Sequence, residues 1–195
     1  MLFSKRPAAD LTSRRVIISR SSMTSVALLE LLFENVWHAK PRFIAGDAEV
    51  RDVVESNDGG VDARLVIGDA ALVLASNHRE RYPHVYDLGQ AWKDWTGQPF
   101  VFAVWVAQRS TDVKEALLAH AGLIASRNWG LRHLSELAEQ AHESTGVKKE
   151  VCAEYLSGLD YGLSYSHLAG LTDFYRRLVE RGRIPNGTLT FLPAA

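Results

Sequence analysis

"RVIISRSSMTSVALLELLFENVW", Arg15 to Trp37, sets the fold class. Arg15 to Ser19 are rich in β-branched side chains and read as a strand. After a polar break, Val26, Leu29, Leu32, Phe33 and Val36 recur at helical spacing. The same alternation continues outward. "PRFIAG" is a second short strand ended by Gly46, and "AEVRDVVESNDGG" a short helix closed by a turn. Ala63 to Ile67 form a strand that breaks at Gly68-Asp69 into a helix. After "RYPHVYDLG", the dense apolar run Phe100 to Val106 reads as a buried strand. Strands and helices alternating at this length predict an α/β fold, a parallel or mixed sheet with helices on its faces.

The second half reads differently. From Asp112 to about Gly182 there is no strand pattern. Val113, Leu117, Ala121 and Ile124 share one helical face, and Leu131, Leu134 and Leu137 continue with a similar stripe. Leu171, Phe174, Tyr175 and Leu178 mark a last helix, stopped by Gly182 and Pro185. These stripes are expected to be core. "RRLVERGR" reads as a solvated helix end, where cations suit the dipole.

Bulk composition excludes several classes. The 195 residues suffice for one sizeable domain or two small lobes. A hydrophobic share of 47%, a charged share of 23% and a formal charge of −1 lack the basic excess of a nucleic-acid binder. No apolar run has the length of a membrane span, and "MLFSKRPAADLTSRR" is no secretory signal. The one cysteine, Cys152, cannot form an internal disulfide and reads as a packing residue in a helix. "NGT" at Asn186 matches a glycosylation acceptor by chance.

The seven histidines (His38, His78, His84, His120, His133, His142 and His167) form no helical metal pair, and no metal site is expected. "GLSYS" near Ser164 lacks the second glycine of a nucleophile elbow, and no Walker loop occurs. Two polar spots stand where α/β proteins place ligands. In "SRSSMTSV", Ser22 can cap the following helix. The amides of Met23, Thr24 and Ser25 would then face outward and attract an anion such as a carboxylate. A plain serine-rich cap is the simpler reading. In "IGDAAL", Gly68 lets a ligand approach the backbone and Asp69 caps the next helix.

Four stretches together resemble one family, chorismate dehydratase of the futalosine route to menaquinone. They are "SSMTSVALLELLFE", "ARLVIGDAAL", "VYDLGQAWKDWTGQPFVFAVW" and "YLSGLDYGLSYSHLAGLTDFYRRL", in the family's order and at about its spacing. The third is the most specific; family members carry Leu more often at the position of Gln98. The resemblance covers essentially the whole chain. It implies a two-lobed fold like a type II periplasmic solute-binding protein, with the enzyme cytoplasmic. Residues 1–99 would form the α/β second lobe, and 100–195 the crossover strand and the helical part of the first. The run Phe100 to Val106 would be the strand crossing into the first lobe's sheet. Trp92 and Trp95 would pack at the cleft mouth, with Gly97 and Pro99 setting the bend. "MLFSKRP" matches a point inside the family's chain, so one lobe is expected to be incomplete, through truncation or a misassigned start codon.

The implied reaction removes water from chorismate to give 3-[(1-carboxyvinyl)oxy]benzoate. The ring loses a hydroxyl and a neighbouring proton and becomes aromatic. Such a site must hold two carboxylates and assist the leaving oxygen. Ser22, Met23, Thr24, Ser25, Gly68 and Asp69 are the candidates for binding substrate, and no catalytic base is identified. Neither metal nor organic cofactor is implied. The expected partner is the small-molecule substrate, with no nucleic acid and no membrane, and room is left for a homodimer. Two alternatives stay open: the related dihydroxynaphthoate-forming enzyme of the same pathway, whose motifs are not found here, and a non-catalytic binder of small carboxylates.

Overall fold

A computed structural model describes residues 1–19, 22–46, 60–77 and 80–192. The chain divides into two compact units, Met1–Phe102 with Ser164–Phe174, and Ala103–Leu163 with Tyr175–Ala195. The short helix read in "AEVRDVVESNDGG" and the position of His78 lie outside the described residues.

The first unit carries a five-stranded mixed sheet, so the α/β expectation is met. Its strands are β1 (Leu2–Ser4), β2 (Arg15–Ser19), β3 (Arg42–Gly46), β4 (Ala63–Leu65) and β5 (His84–Tyr86), in the order β3-β2-β4-β1-β5. β2 runs parallel to both β3 and β4, whereas β1 is antiparallel to β4 and β5. β2, β3 and β4 fall where their β-branched and apolar residues predict. β1 and β5 have no counterpart among the strands read from the sequence. At the end of β3 only a glycine fits: a Cβ on Gly46 would lie 2.6 Å from a methyl of Ile17 on β2.

α1 (Met23–Asn35) follows β2, and α2 (Gly68–Asn77) follows β4. α1 buries Leu28, Leu29, Leu31, Leu32 and Phe33. Each such side chain removed from water contributes about 1.5–3 kcal/mol. α2 buries Ala70, Ala71 and Leu74 with Val66, Tyr82 and Phe3 of β1.

α3 (Leu88–Thr96) shows why "DLGQAWKDWTG" is so particular. Asp87 caps its start by accepting from the Gln90 amide at 2.9 Å, and Gly97 closes it at φ 73°. The stretch is a helix with both caps written into it. It delivers the fully buried Trp92 to Trp95, Phe100 and Phe174, whose ring centroids lie 5.5, 5.5 and 5.9 Å away. Gly170 supplies close approach here, since a Cβ would collide with the Pro99 carbonyl oxygen.

The strand expected from Phe100 to Val106 does not form. Residues 99–108 belong to neither helix nor strand, and Trp105 and Val106 are 84% and 83% exposed. β-prone side chains make a strand only beside another strand, and none of the described strands pairs with this run.

The second unit contains α4 (Val113–Arg132), α5 (Leu134–Thr145) and α6 (Lys149–Ser157). Asp112 caps α4 by accepting from the amides of Lys114 and Glu115. Gly146 ends α5 at φ 70°. α5 and α6 close on Ala138, Val147 and Cys152, all buried; the His142 ring Nδ1 donates to the Val147 carbonyl at 2.7 Å. The core stripe expected on α4 is overturned. Val113 and Ala121 are exposed, Leu117 and Ile124 only half-buried, and Ala116 alone is buried. Leu131 is exposed as well, with Leu134 and Leu137 half-buried. Helical spacing marks a face able to pack, and nothing described covers this one. In α7 (Tyr165–Glu180) most of the expected face holds: Leu171, Phe174 and Leu178 are buried and Tyr175 is half-buried.

Candidate functional site

β2 and β4 are parallel neighbours, so their C-terminal ends share one edge of the sheet. From that pair the chain departs in opposite directions. β2 leads through α1 to β3 on one side, and β4 leads through α2 toward β5 on the other. Such divergence marks a switch point in the strand order, the place where open α/β sheets bind ligands. The six candidate residues stand at the two helix starts beyond this edge. Sequence spacing could not show it, because the adjacency of β2 and β4 is a pairing across the fold.

At the first start, the Ser22 hydroxyl accepts from the Ser25 amide at 3.3 Å. The capping role is therefore realised, and it changes the anion site. The Ser25 amide is engaged and its side chain buried, so it is not presented to a ligand as expected. Among the described residues, the amides of Met23 and Thr24 have no partner. Met23 is 89% exposed and Thr24 half-buried, so this turn faces solvent. Two amides and the Thr24 hydroxyl beside them can bind a carboxylate, helped by the helix dipole.

At the second start, Gly68 has φ +62°, and a Cβ there would meet nothing within 4 Å. Glycine is needed for the backbone conformation. α2 begins at Gly68, which places Asp69 inside the first turn rather than at the cap where it was expected. An exposed carboxylate in that turn is stabilised by the dipole and can accept a hydrogen bond from a hydroxyl.

Of the tryptophans expected at the cleft mouth, Trp92 packs against Trp95 and Phe100. Trp92 is sealed in the aromatic cluster. Trp95 lines a shallow hollow with Asn35, Val36, Trp37, Tyr86, Ala91 and Asp94. That hollow adjoins the far end of α1, whose 13 residues span ~20 Å. Three buried polar side chains were missed in the sequence: Ser4 in β1, Ser19, last in β2, and Arg64, in the middle of β4. A guanidinium in a three-residue strand otherwise made of Ala and Leu was the available signal. No helix among the described residues is long and apolar enough to cross a membrane.

The signature of a family described as menaquinone biosynthesis matches residues 1–180. A chorismate dehydratase of Thermus thermophilus is 31% identical over 183 aligned residues, covering 84% of this chain and 62% of that protein. The chain thus spans less than two thirds of that relative's length. With nearly its whole length matched, the chain belongs to the menaquinone biosynthesis family.

Proposed function

We propose that this chain binds chorismate at the β2/β4 edge and takes part in its dehydration to 3-[(1-carboxyvinyl)oxy]benzoate. The observation that carries the reading is the pair of helix starts, one offering free amides and the other a carboxylate, in a chain similar to a chorismate dehydratase. The Met23 and Thr24 amides with the Thr24 hydroxyl hold a substrate carboxylate. Ser22 positions them through its cap, and Ser25 supports the turn from inside. Gly68 admits the ring close to the backbone, and Asp69 receives a hydrogen bond from the ring hydroxyl. Water leaves as that hydroxyl together with a neighbouring ring proton, and aromatisation drives the step. Holding the ring in one orientation lowers the barrier by several kcal/mol, on the order of what positioning supplies elsewhere.

The same reading extends to the architecture. Residues 1–99 correspond to the second lobe of a two-lobed, periplasmic-binding-protein-like enzyme, and 100–195 to the crossover and helical part of the first. A biosynthetic enzyme of this kind acts in the cytoplasm on a small molecule. The test is to incubate the protein with chorismate and follow the aromatic product and the binding isotherm. Thr24→Ala is expected to weaken chorismate affinity about tenfold, a loss of ~1.4 kcal/mol, with an unchanged melting temperature. Unaltered affinity would remove Thr24 from the site. Binding without any product would favour the non-catalytic carboxylate binder.

A further inference from the structure

The hollow beside the end of α1 is walled mainly by aromatic rings. Trp37, Tyr86 and Trp95 line it, Asn35 and Asp94 are its polar members, and its volume is about 430 Å³. Small-molecule sites fall in the range of ~300–1,000 Å³. All of these residues belong to the first unit, apart from the crossover run and from the open faces of the second unit. Each ring is held from behind. Trp37 packs edge-on against Phe33, with centroids 5.0 Å apart. Trp95 packs in the same way against the buried Trp92 at 5.5 Å. The Tyr86 hydroxyl accepts from the Ala8 amide at 3.0 Å. Trp37 and Tyr86 meet at 5.2 Å and 56°, so they form two inclined walls rather than a closed stack. All three rings are half-buried, and rings already fixed in place lose little freedom when a ligand arrives.

Charge selects the occupant. Among the described residues, no lysine, arginine or histidine lines the hollow. Asp94 is exposed; Gln90 donates to its Oδ1 at 2.7 Å and leaves the other carboxylate oxygen open. Asn35 donates its amide to the Leu31 carbonyl at 2.8 Å, and its own carbonyl oxygen has no partner among the described residues. Ring faces carry negative potential, and carboxylate and carbonyl oxygens accept hydrogen bonds. Together they attract a cation and repel a carboxylate such as chorismate. We propose that the hollow of Trp37, Tyr86, Trp95 and Asp94 binds a small organic cation of the alkylammonium class. The ammonium group lies over the ring faces, within about 6 Å of their centroids, and Asp94 balances its charge. This site stands ~20 Å along α1 from the Met23–Thr24 turn and is independent of the chorismate reading.

The experiment titrates choline into the intact, isotope-labelled chain and follows the indole N–H resonances of its five tryptophans. The neutral carbon analogue 3,3-dimethyl-1-butanol, alike in shape, is titrated alongside. The Trp37 and Trp95 signals are expected to move with a dissociation constant on the order of 1 mM, about tenfold tighter for choline than for the alcohol. Those of Trp105 and Trp129, in the other unit, stay in place. Asp94→Asn keeps an acceptor for Gln90 at an exposed position, so folding is expected to survive, which the melting temperature checks. It weakens choline about fivefold. Signals that stay still at decimolar choline, equal affinity for the neutral analogue, or equal movement of all five tryptophans would each overturn the proposal. An Asp94→Asn chain that holds choline as tightly as the native one overturns it as well.

Discussion

The two units use apolar residues in opposite ways. In the first, Trp92, Tyr82, Phe3, Phe33 and a set of leucines are shielded to within 2%. In the second, the buried residues among those described are Ala116, Ala138, Val147, Cys152 and Leu178, small or medium in size, while Trp105, Leu118 and Trp129 stand open. Both have helices with sound caps and apolar spacing. What differs is the presence of a sheet. A sheet offers a broad face on which a helix stripe can close, whereas α4 has only Ala116 buried along 20 residues. Caps and propensity establish a helix; burial requires a second surface.

That contrast can be broken by substitution. The largest effect is expected from Trp92→Ala, which empties the centre of the aromatic cluster. A loss of about 3–5 kcal/mol should appear in denaturant unfolding. A loss below about 1 kcal/mol would mean the cluster is not a core. Next comes Gly170→Ala, where the added methyl meets the Pro99 carbonyl oxygen. Overpacking of about 1–3 kcal/mol is expected, read as a lower melting temperature. An unchanged melting temperature would show that α7 does not rest on Pro99.

Leu118→Ala, by contrast, should change stability by no more than about 0.5 kcal/mol, because the side chain is 76% exposed. A large loss would place this face against protein and erase the contrast between the units. The smallest effect concerns Lys149 and Glu139, paired at 2.6 Å on the surface of the second unit. The hydrogen bond from Lys149 holds the Glu139 carboxyl below its ordinary range and raises Lys149 above its own. The carboxylate's contribution is present above its unfolded pKa and fades as pH falls through the folded one. The ammonium's is present below its unfolded pKa and fades as pH rises through the folded one. Glu139→Gln should therefore differ slightly from the native chain near neutrality and not at all in acid or high salt. A difference that persisted in acid would exclude the pair as its cause.

Much of this was legible in the residues. Strands β2, β3 and β4 and the start of α1 follow from β-branched runs and the Ser22 cap. The two helix starts that make the candidate site are written in "SRSSMTSV" and "IGDAAL". Their convergence was not legible, because it depends on β2 pairing with β4 rather than on any local pattern. The run after Pro99 was misread for a related reason. Its composition states what it would pair as, and no composition states whether a neighbour exists. The same holds for Val113 and Ala121, whose spacing declares a face without naming what lies against it.

Of the five tryptophans, Trp92 is wholly shielded and Trp105 almost wholly open. Indole emission shifts to longer wavelength in water, and dissolved iodide reaches only an open ring. The chain thus carries two internal lamps of different colour. Dimming of the red emission by iodide, from Trp105 and the half-exposed Trp129, would follow the outer surface. A late reddening of the blue one would mark the opening of the sheet-backed unit, with no label attached.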